Sequence, residues 1–237
     1  MPRKVVVHTT HLEMREGRTY VAETLSSHLI DLAYKSFERC FEDRSFKHIH
    51  TSADNNWSSH AIAVHLLTHN ALEALINELI AIPNMPSPFG EKSVKKWLFD
   101  ISFLAKYVVV PQLAWQKTFE TGKEPYQSLK TLNNLRNHLV HYKMERIKIN
   151  SLPSGLQLLQ DREVLLGPPM GYDWLKLVSS TKTALWALNT AAEVAGKLLA
   201  FTSDKVHLAF ERHTSNFRFI SHEEYLQKIQ VYSVPLI

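Results

Sequence analysis

Apolar residues recur at helical spacing from about Ala22 to Asp43, at Leu25, Leu29, Leu32, Ala33, Phe37 and Phe41. A polar loop rich in helix-capping residues, SADNNWSS, follows. It predicts a long helix from about Ser58 to Ile82, stopped near Pro83. The Pro-rich connector PNMPSPFGEK separates that helix from an apolar stretch over Val94–Val109, read as helical with a β-branched end before Pro111. Glu124-Pro125 sets up another helix start, because proline is tolerated in a first turn. That helix is expected to run to about Arg146. IKINSLPSG and LLGPPMGYD form a loop-rich excursion with room for one hairpin, and a last long helix spans about Trp174 to Phe201. Lys4–Val7 reads as a short strand with Thr19–Val21 as its one visible partner. The tail after Thr202 is mixed, a short helix or an extended arm.

Four or five long helices with little strand predict an all-α helical bundle in one domain over 1–237. Its core covers about 22–202, and 1–21 and 203–237 are peripheral. The chain has 237 residues, enough for one sizeable core, and its 45% apolar and 21% charged composition is that of a globular protein. No stretch reaches the roughly 18–20 unbroken apolar residues of a membrane span. The start, MPRKVVVHTTHLE, carries too short an apolar run for a signal peptide. The single cysteine, Cys40, cannot form an internal disulfide or a Cys-based metal motif, and its setting suits a buried helix face. These features predict a cytoplasmic protein with no membrane partner.

Charge changes the picture only through its location. Between Lys117 and Lys148 seven cations (Lys117, Lys123, Lys130, Arg136, Lys143, Arg146, Lys148) face three carboxylates (Glu120, Glu124, Glu145). That local excess of four equals the net charge of the whole chain, +4. A local positive field attracts polyanions such as nucleic acid, although an ordinary solvated helix rim has the same composition.

Within that region lies LNNLRNHLVHYK, which sets Arg136, Asn137, His138 and His141 among leucines. An arginine followed within four to six positions by a histidine is a weak signal. About one or two such pairs arise by chance from ten arginines and thirteen histidines in 237 residues. Arg3 with His8 and Arg44 with His50 are others, but only Arg136 and His141 share a strongly patterned helix. Metal-free RNA cleavage needs proton transfer near neutral pH, which suits histidine, and a cation for the phosphate, which suits the arginine fork. Asn137 and His141 are i and i+4, so they share a face, whereas Arg136 and His141 lie about 140° apart around the axis. One helix positions that pair poorly. Two copies facing across a two-fold axis would line one cleft with both sets.

PYQSLKTLNNLRNHLVHYK resembles the signature helix of HEPN-domain proteins, all-α domains that often act as RNases. That signature is an arginine, a polar residue, a few mostly apolar residues and a histidine, matched here by Arg136, Asn137 and His141. HLLTHNALEALINELIA resembles the upstream HEPN helix that places an acidic residue near the motif, and TKTALWALNTAAEVAGKLL the helix that closes the bundle. The resemblance covers about Ser58 to Phe201; the first 50 residues and the loop at 147–172 have no counterpart. It implies a metal-independent endoribonuclease with no cofactor, a toxin or defence effector, with its site at a homodimer interface and an antitoxin or nucleotidyltransferase as a possible partner. Arg136 would bind the scissile phosphate, His141 act as general acid and base, Asn137 orient, and Glu73 support, with Lys130, Lys143 and Arg146 contacting RNA. Some toxins of this family carry, two residues after the histidine, a tyrosine that is modified; Lys143 stands there instead.

The upstream helix carries one polar stripe, since His69, Asn70, Glu73 and Asn77 fall within about 100° of one another. If that stripe is buried it needs partners, and Glu73 pairing with Arg136 would supply one. The bland reading is an exposed stripe. His65 and His69 have the i, i+4 spacing of metal ligands, set against helix histidines that make local hydrogen bonds. His138 faces away from Asn137 and His141 and reads as a rim or dimer contact, and Tyr142 as a packing residue. Two further functions compete with the nuclease: a non-catalytic HEPN module that binds RNA, a nucleotide or a partner protein, and a helical interaction protein whose motif is coincidental.

Overall fold

The structure, a computed structural model, describes residues 11–15, 18–22, 24–42, 58–82, 91–141, 152–165, 174–202 and 204–233. These form ten helices and one short hairpin, an all-α architecture. The hairpin pairs β1 (His11–Arg15) antiparallel with β2 (Arg18–Ala22). The predicted strand at Thr19–Val21 is therefore present but pairs with His11–Arg15, while Lys4–Val7 lies outside the described residues.

The organising element is α2 (Ser59–Ala81), which buries residues around about half of its circumference. Ser58 caps its start by accepting the His60 amide at 3.1 Å, an arrangement that stabilises a helix by about 1 kcal/mol. Helix α1 (Leu25–Glu42) runs antiparallel along it, burying Ile30, Ala33, Phe37, Cys40 and Phe41; Leu25, the first of the helically spaced apolar residues, is exposed. Where α1 begins and α2 ends, Glu78 accepts from the Ser26 amide at 2.9 Å and from the Ser26 hydroxyl, and pairs with His213 Nδ1 at 2.9 Å. Burial pushes the Glu78 carboxyl up, but these hydrogen bonds outweigh it and hold it below the usual carboxylate range.

The apolar stretch predicted as one helix over Val94–Val109 is two, α3 (Lys92–Asp100) and α4 (Phe103–Trp115), divided at extended Ile101 and Ser102. Pro111 does not stop α4 but lies buried inside it. The missing amide of an interior proline costs about 3 kcal/mol, which burial of Val110, Pro111 and Ala114 helps to offset. Helix α5 (Tyr126–Val140) follows, then the short α6 (Gln157–Asp161); most of the two segments in which one hairpin was allowed for lies outside the described residues. The predicted helix from Trp174 to Phe201 is also broken, into α7 (Trp174–Val178) and α8 (Thr181–Phe201). Ser180 makes the break by turning its hydroxyl to the Thr183 amide at 3.2 Å, an N-cap within the polar run Ser179–Thr183.

The tail beyond 203 holds α9 (Asp204–Thr214) and α10 (His222–Ser233). Predicted as peripheral, it adds Val206, Phe210, Phe217, Ile220 and Tyr225 to the main core. A second apolar cluster forms where Leu156, Leu159, Val164, Leu165, Trp174, Leu177 and Val178 close over Leu135 of α5. Gly155, at φ 82°, makes the turn into that cap, with the Asn134 side chain directly beside it. No helix among the described residues is long and apolar enough to cross a membrane.

Candidate functional site

The sequence of α5 divides its surface. Tyr126, Leu129 and Leu132 enter the main core, and Leu135 enters the second cluster. At its start the Glu124 carboxylate accepts the Ser128 amide at 3.3 Å, and Arg162 bridges Glu124 and the Ser128 hydroxyl. The remaining edge carries exposed Lys130, Asn137 and Val140 and half-buried Arg136. The helix ends at Val140 rather than near Arg146, one residue after Leu139 packs on the second cluster. His141 is its C-cap, at φ −106° and ψ 41°, with its amide donating to the Asn137 carbonyl at 2.9 Å. Lys143, Arg146 and Tyr142 lie outside the described residues.

Arg136, Asn137 and His141 thus gather at the exposed end of one helix. Arg136 Nη1 donates to Asn137 Oδ1 at 3.2 Å, and the exposed His141 follows one turn on. The expected pairing of Glu73 with Arg136 is not formed: no ion pair or hydrogen bond joins them. Arg136 is turned along its own helix towards Asn137, and half-buried Glu73 acts through space on His69 and Tyr107 of α4.

The side chain that ties α2 to α5 is His69. Its Nε2 lies 3.1 Å from Asn133 Oδ1, one turn before Arg136, and its ring packs 4.3 Å from that of Phe103. From Phe103 an edge-to-face series continues through Tyr107 and Phe119 to Phe201, holding α4 against the end of α8. Burial lowers the pKa of His69 and the nearby Arg136 charge adds to this, while Asn133 and Glu73 act in the opposite direction. The polar stripe of α2 is therefore mixed: His69 is buried, Asn70 is exposed, and Asn77 accepts from the buried ammonium of Lys106 at 2.9 Å. Asn133 and Lys106 were not singled out from the sequence. The signal for both was that stripe, whose buried members need partners from whatever packs on them.

Two further histidines are occupied within the chain. His138, read as a rim or dimer contact, lies 3.0 Å through Nε2 from the Ser154 carbonyl and packs edge-on to Trp174. His65 is fully buried and donates through Nε2 to the Val178 carbonyl at 2.8 Å, and burial pushes its pKa down to about 4. Each ring of the His65/His69 pair thus turns to a different element. Among the described residues no group of three or more His, Cys, Asp or Glu side chains is placed to hold a metal ion. Cys40 is buried in α1 as its setting predicts, with Sγ 3.4 Å from the Ser36 carbonyl. Comparison with family models, with curated proteins and with solved structures finds no match for this chain.

Proposed function

We propose that the exposed end of α5 is an RNA-cleaving site of the HEPN kind that works without a metal ion. The observation that carries this reading is the gathering of Arg136, Asn137 and His141 on one solvent-facing helix end. Arg136 would bind the scissile phosphate, Asn137 hold its guanidinium, and His141 transfer the proton to or from the reacting oxygens. Lys130, exposed on the same helix, adds positive charge along the approach, and Lys143 and Arg146 are proposed to extend it. Glu73 becomes an electrostatic neighbour rather than a clamp, acting on His69 behind Asn133.

A second copy of the chain would complete the site. Val140 is 48% exposed between Asn137 and His141, an apolar side chain that a facing α5 would cover. A toxin or defence role, with an antitoxin or nucleotidyltransferase partner, belongs to the same proposal. One observation favours the alternative, a non-catalytic module of this kind that binds RNA, a nucleotide or a protein: His141 is exposed and its ring has no hydrogen-bond partner among the described residues. The test is to incubate the purified protein with RNA in excess EDTA and to determine the ends produced. The nuclease reading expects cleavage leaving 2′,3′-cyclic phosphate and 5′-hydroxyl ends. Cleavage abolished by EDTA and restored by zinc or manganese would contradict it, and no cleavage under any condition would favour the binding module.

A further inference from the structure

Helix α3 has a face that the site on α5 leaves unexplained. At 100° per residue, Lys95, Phe99, Lys92 and Lys96 follow one another around roughly a quarter of its circumference. Trp97 stands about 100° beyond Lys96, and the inward side is taken by buried Leu98 and half-buried Val94. The ring of Trp97 is 51% exposed and that of Phe99 42%, so neither aromatic serves the core. Lys92 and Lys96 are exposed, Lys95 is half-buried, and none of the three makes an ion pair with another described residue. Glu91 and Asp100 stand at the two ends of the helix. Four residues after Phe99 comes Phe103, which packs on His69, whose Nε2 meets Asn133 at the middle of the Arg136 helix.

We propose that this face of α3 is a docking strip for single-stranded RNA, in which Lys92, Lys95 and Lys96 take phosphates while Phe99 stacks on an unpaired base. The proposal rests on the RNA reading of α5 and names its substrate class. An exposed aromatic ring set among lysines suits a strand whose bases are free to stack, since a duplex keeps its base faces buried. An anionic membrane surface fits less well. A helix that lies in a bilayer collects its apolar residues on one side, opposite its cations. Here Phe99 sits among the lysines, Trp97 points about 160° away from it, and the apolar side faces the protein core.

The experiment measures fluorescence anisotropy of a labelled single-stranded oligonucleotide with 2′-O-methyl riboses, which lacks the nucleophile that cleavage requires. Binding is thereby read apart from catalysis. The wild type is expected to bind, with affinity falling as salt rises. The triple variant Lys92→Ala, Lys95→Ala, Lys96→Ala should weaken binding about tenfold or more and flatten the salt dependence. Phe99→Ala should weaken it by about tenfold with the salt dependence kept, because stacking involves no counterion release. A duplex of the same sequence should bind more weakly and be insensitive to Phe99→Ala. Unchanged circular dichroism checks that these exposed positions leave the fold intact. Wild-type affinity in the α3 variants, no binding by the wild type, or co-sedimentation with phosphatidylserine vesicles without oligonucleotide binding would each overturn the proposal. Loss of binding in Arg136→Ala alone would overturn it too, while leaving the reading of α5 in place. Binding through α3 by a protein that never cleaves RNA would support the strip and remove the catalytic reading.

Discussion

His69 Nε2 and Asn133 Oδ1, 3.1 Å apart, form the side-chain link between the central helix α2 and the helix that carries Arg136. His69 is buried and Asn133 half-buried, so water is kept from the histidine side of the bond. Asn133→Ala leaves His69 Nε2 without its partner and is expected to destabilise the protein by about 1–2 kcal/mol. A urea titration should show the midpoint shifted with an unchanged slope. An unshifted midpoint would mean that the link contributes nothing to holding α5.

His65 makes stability depend on pH. The folded protein keeps this ring neutral down to about pH 4, while an unfolded chain protonates it near its ordinary value of 6.5. Between those values the unfolded state holds more protons, so stability falls as pH falls. The contribution is complete above pH 6.5, is lost progressively towards pH 4 and is constant below. A shift of this size corresponds to about 3 kcal/mol across the window. His69, also lowered by burial, adds in the same direction. His65→Gln keeps a donor for the Val178 carbonyl without a titrating group. Urea midpoints at pH 7, 5.5 and 4.5 should fall less steeply in this variant than in the wild type.

Association through the end of α5 has its own test. Val140 stands 48% exposed beside Asn137 and His141, and a carboxylate there would meet its own copy across a two-fold axis. Sedimentation at micromolar concentration should give a dimer for the wild type and a monomer for Val140→Asp. A wild-type monomer that still cleaves RNA would show that one chain holds a sufficient site.

The sequence made the long elements legible where a cap or a proline marked their ends. Ser58 at the start of α2 and the apolar spacing that buries Phe37 and Phe41 are examples. It concealed the breaks beyond which apolar spacing resumes. The boundary between α7 and α8 is marked by the five polar residues Ser179–Thr183 with Ser180 as N-cap, but helical apolar spacing resumes at Ala184 and makes the two look like one run. The tail failed for a related reason: Phe210, Phe217 and Tyr225 are widely spaced and become core only through contacts distant in sequence. At the candidate site the polar stripe of α2 was visible, but not which member would reach α5. Charge suggested Glu73 to Arg136, whereas burial favours a neutral link, His69 to Asn133, over an ion pair that must be desolvated.

His141 carries the proposed chemistry most directly. Purified wild type and His141→Ala are incubated with the same RNA in EDTA, and initial cleavage rates and 5′ ends are measured. If His141 moves a proton in the transition state, its replacement should slow cleavage by about 10²–10⁴-fold at the same positions. RNA affinity should change little, because binding is dominated by phosphate contacts. Equal cleavage by the two proteins would contradict the account and remove His141 from the mechanism.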